Sequence, residues 1–274
     1  MFNYHQSFEE MRISFLTKGI CIDKPGFYDE PNFLKIEKDY PEFLNCYASY
    51  VQSQPYSDEY LKNAKENIPL IVNALNNELI QDGRQGACID ISSLLSKILE
   101  HEGYWNYIVK GSLTISFPES SKIKPTYYWS FDTGRFEAGH AWVFAPPYKV
   151  IDISIKQQKQ PENELEYIPN FVLAENVSPC NMTVMDIISP QVQRYLKDSG
   201  LLECQFIDRV SPSLTKFQKV FKTYCISEGN HLSLKYIPVG IGAPDCPLEE
   251  MVGISQQGKS AMEIYTNEVV PLLR

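Results

Sequence analysis

The chain has 274 residues, 43% apolar and 22% charged, a balance that excludes disordered and fibrous architectures and allows a full hydrophobic core. Its 34 acidic residues against 25 basic ones leave a formal charge of −9, which argues against a nucleic-acid partner because phosphate binding needs a basic surface. The 7 cysteines include no Cys-x-x-Cys pair, so no metal site is expected, and their odd number argues against a disulfide framework. No secretory signal opens the chain, and no run reaches the roughly 18 apolar residues of a membrane span. The expectation is a reduced, cytoplasmic protein with no membrane partner and no cofactor.

Residues 1–55 are aromatic-rich and broken by Pro25, Pro31, Pro41 and Pro55, which predicts short helices and loops packed on something else. Ser57-Asp58-Glu59 opens a helix whose apolar positions run from Leu61 to Leu79 at helical spacing, and Asp82-Gly83 stops it. Cys88 opens a second helix: Ile91, Leu94, Leu95, Ile98 and Leu99 form one apolar stripe, and Gly103 closes it. A strand follows over Tyr107–Phe117, then a polar loop over 118–137 with Trp129 and Phe131 as aromatic islands. His140–Phe144 and Tyr148–Ser154 read as a hairpin joined at Ala145-Pro146-Pro147, and residues 156–170 as a solvated, Gln-rich loop. Beyond it come a helix near Pro190–Lys197, an alternating run at His231–Val239, and a helix from Lys259 interrupted near Pro271. The resulting division is an N-terminal segment (1–55), a core (56–170) and a C-terminal extension packed on that core (171–274).

Cys88 is the candidate nucleophile, because a helix N-terminus favours the thiolate. Of the 4 histidines, His101 lies down the same helix, about 20 Å away at 1.5 Å per residue, and His5 and His231 have no place assigned. His140, at the start of a strand, is the candidate base. With a three-residue hairpin loop, Phe144 pairs with Tyr148 and His140 with Asp152, close enough for the carboxylate to orient the imidazole. A one-residue slip would put them on opposite faces. Trp142 shares the His140 face, as a core or cleft-wall residue before a substrate contact. Asp90 complements the helix dipole, and Arg84 anchors the preceding loop.

The blocks Gly86-Ala87-Cys88 opening a helix that ends at Gly103, Gly139-His140-Ala141-Trp142-Val143-Phe144, and Val150-Ile151-Asp152 resemble the transglutaminase-like superfamily, over about residues 84–154. The resemblance implies a papain-like α+β fold with the Cys helix packed on an antiparallel sheet, a Cys-His-Asp triad, and a protein or peptide substrate. Animal-type transglutaminases carry Gln-Cys-Trp where this chain has Ala87-Cys88-Ile89. Arg84-Gln85-Gly86-Ala87-Cys88 also looks like the Arg-Gly-Gly-x-Cys of arylamine N-acetyltransferases, so acetyl transfer from acetyl-CoA is an alternative, and a catalytically silent binding module is another. The Cys88 N–H is one expected oxyanion donor. No side chain of this sequence matches the family's second.

Overall fold

The run of β-branched and aromatic residues after Gly103 forms the spine of a mixed α and β fold. In a computed structural model, which describes residues 4–133, 139–228, 232–252 and 255–273, β1 (Tyr107–Ser116) sits inside an eight-stranded sheet. The other strands are β2 (Thr126–Tyr128), β3 (His140–Ala145), β4 (Tyr148–Asp152), β5 (Val172–Ala174), β6 (Ser178–Pro179), β7 (Tyr224–Glu228) and β8 (Leu232–Gly242). Their order is β5-β4-β3-β1-β8-β7-β6, and every pairing is antiparallel. β2 and β3 share one edge of β1, end to end: Leu113 faces Tyr128 and Gly111 faces His140. The region expected as an extension thus supplies β8, which lies directly against β1. His231 and residues 134–137 of the expected 118–137 loop lie outside the described residues.

Alternation along β3 divides the core. Ala141, Val143 and Ala145 pack with α4 (Asp58–Asp82) and α5 (Cys88–His101), whose buried stripe includes Ile91, Leu94, Leu95, Ile98 and Leu99. Trp142 and Phe144 face the other layer, where α1 (Phe8–Thr17), α2 (Pro31–Asp39) and α3 (Leu44–Ser53) bring a cluster of edge-on rings around Phe15, Phe27 and Tyr50. With both faces covered, β3 is buried along its whole length.

Two expectations are corrected. The hairpin turn between β3 and β4 has two residues, Pro146 and Pro147, since Ala145 pairs with Tyr148. Cys180 and Cys225 form a disulfide with Cα atoms 5.9 Å apart, a normal span for a bridge. The β6–β7 pairing sets Ser178 against Cys225, a proximity invisible in a sequence separation of 45. Among the described residues, no helix is long and apolar enough to cross a membrane.

Candidate active site

α5 starts at Cys88 because Gly86, at φ +72°, turns the chain sharply into it, a left-handed backbone that glycine adopts without strain. Ala87 caps this end without a side-chain acceptor, so the helix's partial positive charge stays available at Cys88. Arg84 and Asp90 form an ion pair that ties the loop to the first turn.

His140 comes from the first residue of β3. Gly139 before it permits a close approach: a Cβ there would lie 2.4 Å from the Tyr128 carbonyl oxygen and 2.5 Å from that of Trp129. Because Tyr128 and His140 face Leu113 and Gly111, two apart on β1, their side chains share a face, and the ring centroids are 5.9 Å apart.

Asp152 ends β4. A plain two-residue turn would put it on the opposite face from His140. The register shift between Val143 and Ala145 moves the pairing one residue further, to Val143 against Ile151. Asp152 then stands opposite Trp142 instead of His140, and reaches the imidazole diagonally. His140 Nε2 lies 2.6 Å from Asp152 Oδ2. The direct cross-strand pair expected from a three-residue loop is therefore replaced by a diagonal one on the same face.

The carboxylate is held on all sides. Tyr236 of β8 donates its hydroxyl to Oδ2 at 2.9 Å, and Ser154 donates its amide and hydroxyl to Oδ1 at 3.0 and 3.2 Å. Asp152 so placed holds the Nε2 edge of the ring and leaves Nδ1 as the nitrogen turned away from it. Nδ1 is buried with no well-directed hydrogen-bond partner, and the Cys88 side chain is the neighbour that acts on it. Burial works against the imidazolium, but the Asp152 charge and hydrogen bond outweigh it, Cys88 adds to them, and the His140 pKa rises to about 10.

The structure thus brings Cys88, His140 and Asp152 together, and leaves His101 beside Tyr265 and Glu102 at the far end of α5. All three are nearly inaccessible: Cys88 is 8% exposed, Asp152 1% and His140 0%. Trp142, expected as a core or cleft-wall residue before a substrate contact, lies in the core. It is 2% exposed, with Tyr236 edge-on at 5.1 Å. Tyr236, Ser154 and Tyr128 carry no local signal in the sequence, since each joins the site by strand pairing or by a chain reversal. Burial keeps the Tyr128 phenol protonated, its pKa pushed up to about 12. Among the described residues, no group of three or more His, Cys, Asp or Glu side chains is arranged to hold a metal ion. No family model, no curated protein and no solved structure matches the chain.

Proposed function

We propose that the protein is a cysteine-dependent acyl-transfer enzyme of the transglutaminase-like kind, with the papain-like arrangement of a nucleophile helix against an antiparallel sheet. The observation that carries this is the His140 imidazole, gripped by Asp152 on Nε2 and acted on by the Cys88 side chain. Nδ1 takes the Cys88 proton, and the resulting thiolate sits at a helix N-terminus opposite an imidazolium. The sulfur attacks the carbonyl carbon of a carboxamide or peptide bond, and the Cys88 N–H stabilises the oxyanion. Collapse of that intermediate breaks the C–N bond. The His140 proton goes to the departing nitrogen, leaving a thioester on Cys88. Water or an amine then attacks the thioester, with His140 as base, and regenerates the thiol.

The test is incubation with a glutamine-containing protein and a fluorescent primary amine, with ammonia release, amine incorporation and peptide cleavage followed together. A Cys88-dependent product in any of the three channels supports the reading. No Cys88-linked acyl adduct, from an enzyme whose cleft is open to small thiol reagents, overturns it. The burial of all three residues favours a second reading, a silent binding module, which the same adduct measurement separates from the first.

A further inference from the structure

The segment that follows Asp152, expected as a solvated loop, is only partly exposed to solvent. Ile155 and Gln158 are buried, and Ile155–Gln157 form a single turn of 3-10 helix. The segment is folded on itself: the Ser154 carbonyl accepts from the Gln157 amide and from Gln158 Nε2, both at 3.0 Å, and the Ile155 carbonyl accepts from Gln160 Nε2 at 3.0 Å. Its start is anchored through Ser154 to Asp152.

Two further bonds reach opposite walls of the candidate site. On the nucleophile side, the Gly86 amide, two residues before Cys88, donates to the Gln157 carbonyl at 2.8 Å. On the base side, Gln160 Nε2 donates at 2.9 Å to the hydroxyl of Tyr128, whose ring neighbours His140. The segment therefore bridges the approach to Cys88 and the aromatic wall beside His140.

The bridge is also imperfectly seated. Among the described residues, the buried side-chain polar atoms that lack a hydrogen-bond partner are Gln54 Oε1, Asp82 Oδ2, His140 Nδ1, Gln157 Oε1 and Gln160 Oε1. Three of these five belong to the bridge or to the base it adjoins. A carbonyl oxygen that accepts nothing from the protein adds nothing to the strap's grip, so the segment is held by the few bonds named above.

We propose that residues 154–160 are an autoinhibitory strap, closed in this structure, whose release from Gly86 and Tyr128 uncovers Cys88 and His140. The proposal rests on the reading of Cys88, His140 and Asp152 as the reacting site, and it names the regulation of that site. The anchor of Ser154 on Asp152 stays in place while the distal part, Gln157–Gln160, swings away. Gln160 is the latch, since one amide group holds both the strap's own Ile155 carbonyl and the Tyr128 hydroxyl.

The experiment is timed alkylation of the full chain by iodoacetamide under native conditions, read at each cysteine by peptide mass spectrometry. Wild type is compared with Gln160→Ala and with Gln158→Ala/Gln160→Ala. Cys21 and Cys204 are exposed and mark full accessibility, whereas Cys46 is buried in the aromatic layer and gauges global unfolding. The expected result is slow labelling of Cys88 in wild type and at least tenfold faster labelling in the double variant, with Cys46 still protected. An unchanged Cys88 rate in both variants overturns the strap, as does a rise that occurs only together with Cys46. Faster labelling with no acyl transfer in any variant would retain the strap and reject the enzymatic reading.

Discussion

At the C-terminal end of α5, Lys97 Nζ lies 2.6 Å from Asp29 and 2.9 Å from Glu100, and Tyr28 donates to the same Glu100 at 2.6 Å. At the N-terminal end of the same helix, the buried polar atoms Nδ1 of His140 and Oε1 of Gln157 and Gln160 have no partner. Both ends bury ionisable groups, but among the described residues only at the N-terminal end do buried polar atoms without a partner lie among them. The C-terminal cluster joins the N-terminal aromatic layer to the helix, and burial, which pushes the Glu100 carboxyl up, is countered by Lys97 and Tyr28. Removing one partner of such a pair leaves the other's charge buried and uncompensated, so the cluster ties the aromatic layer to the helix. The other end keeps an imidazole held by Asp152 with Cys88 acting on the same ring, the arrangement on which the proposed proton transfer depends.

Substitution separates the two ends. The largest expected effect is that of Cys88→Ala, which should abolish acyl transfer while the thermal midpoint stays near that of wild type. A loss of activity matched by a loss of folding would erase the contrast. Asp152→Asn should lower kcat by about 10²–10⁴, because an amide can hold the imidazole in the wrong tautomer. Full activity in that variant would show that Asp152 does not orient the base. At the opposite end, Lys97→Met leaves Glu100 buried without its cation and should cost about 3–5 kcal/mol in urea unfolding. The Cys88 chemistry of the folded fraction should survive.

The pH dependence sharpens the comparison further. The His140 pKa is raised in the folded state from 6.5 to about 10, so its contribution to stability is fully present below pH 6.5 and is lost as the pH climbs through about 10. Thermal melts of wild type should fall across that window. Those of Asp152→Asn should change less, because the charge that raises the imidazole is gone. The smallest effect is expected for Tyr236→Phe, which deletes one hydrogen bond to a carboxylate, on the order of 1.5–3 kcal/mol, and leaves three donors on Asp152. A drop in kcat with unchanged KM would mark Tyr236 as a positioning residue, whereas a fall in stability alone would make it structural.

The parts of the site that were legible were those written in local pattern. The stripe from Ile91 to Leu99 and the stop at Gly103 place α5, because side chains three and four apart must share one buried face. The same holds for α4, closed by Gly83. The hairpin was legible as a hairpin but not in its register. Two prolines in the turn do not reveal whether Ala145 belongs to the loop, and an irregularity beside Ala145 is decided by packing on both faces of β3. Trp142 left core and cleft wall undecided for a related reason: sharing a face with His140 says nothing about whether that face meets solvent or the aromatic layer.

What the sequence by itself determined was the set of elements and the order of three chemically suggestive blocks, since helix periodicity, strand composition and turn residues act over a few positions. What only the tertiary structure decided was everything held by distant partners. Tyr236 reaches Asp152 across 84 residues, Cys180 meets Cys225 across 45, and Gln157 caps the Gly86 amide from a stretch whose composition reads as solvated. Polarity alone sends such a stretch to water. Here the hydrogen bonds offered by Gly86, Ser154 and Tyr128 hold it against the site instead, and those donors and acceptors converge only once the sheet has formed.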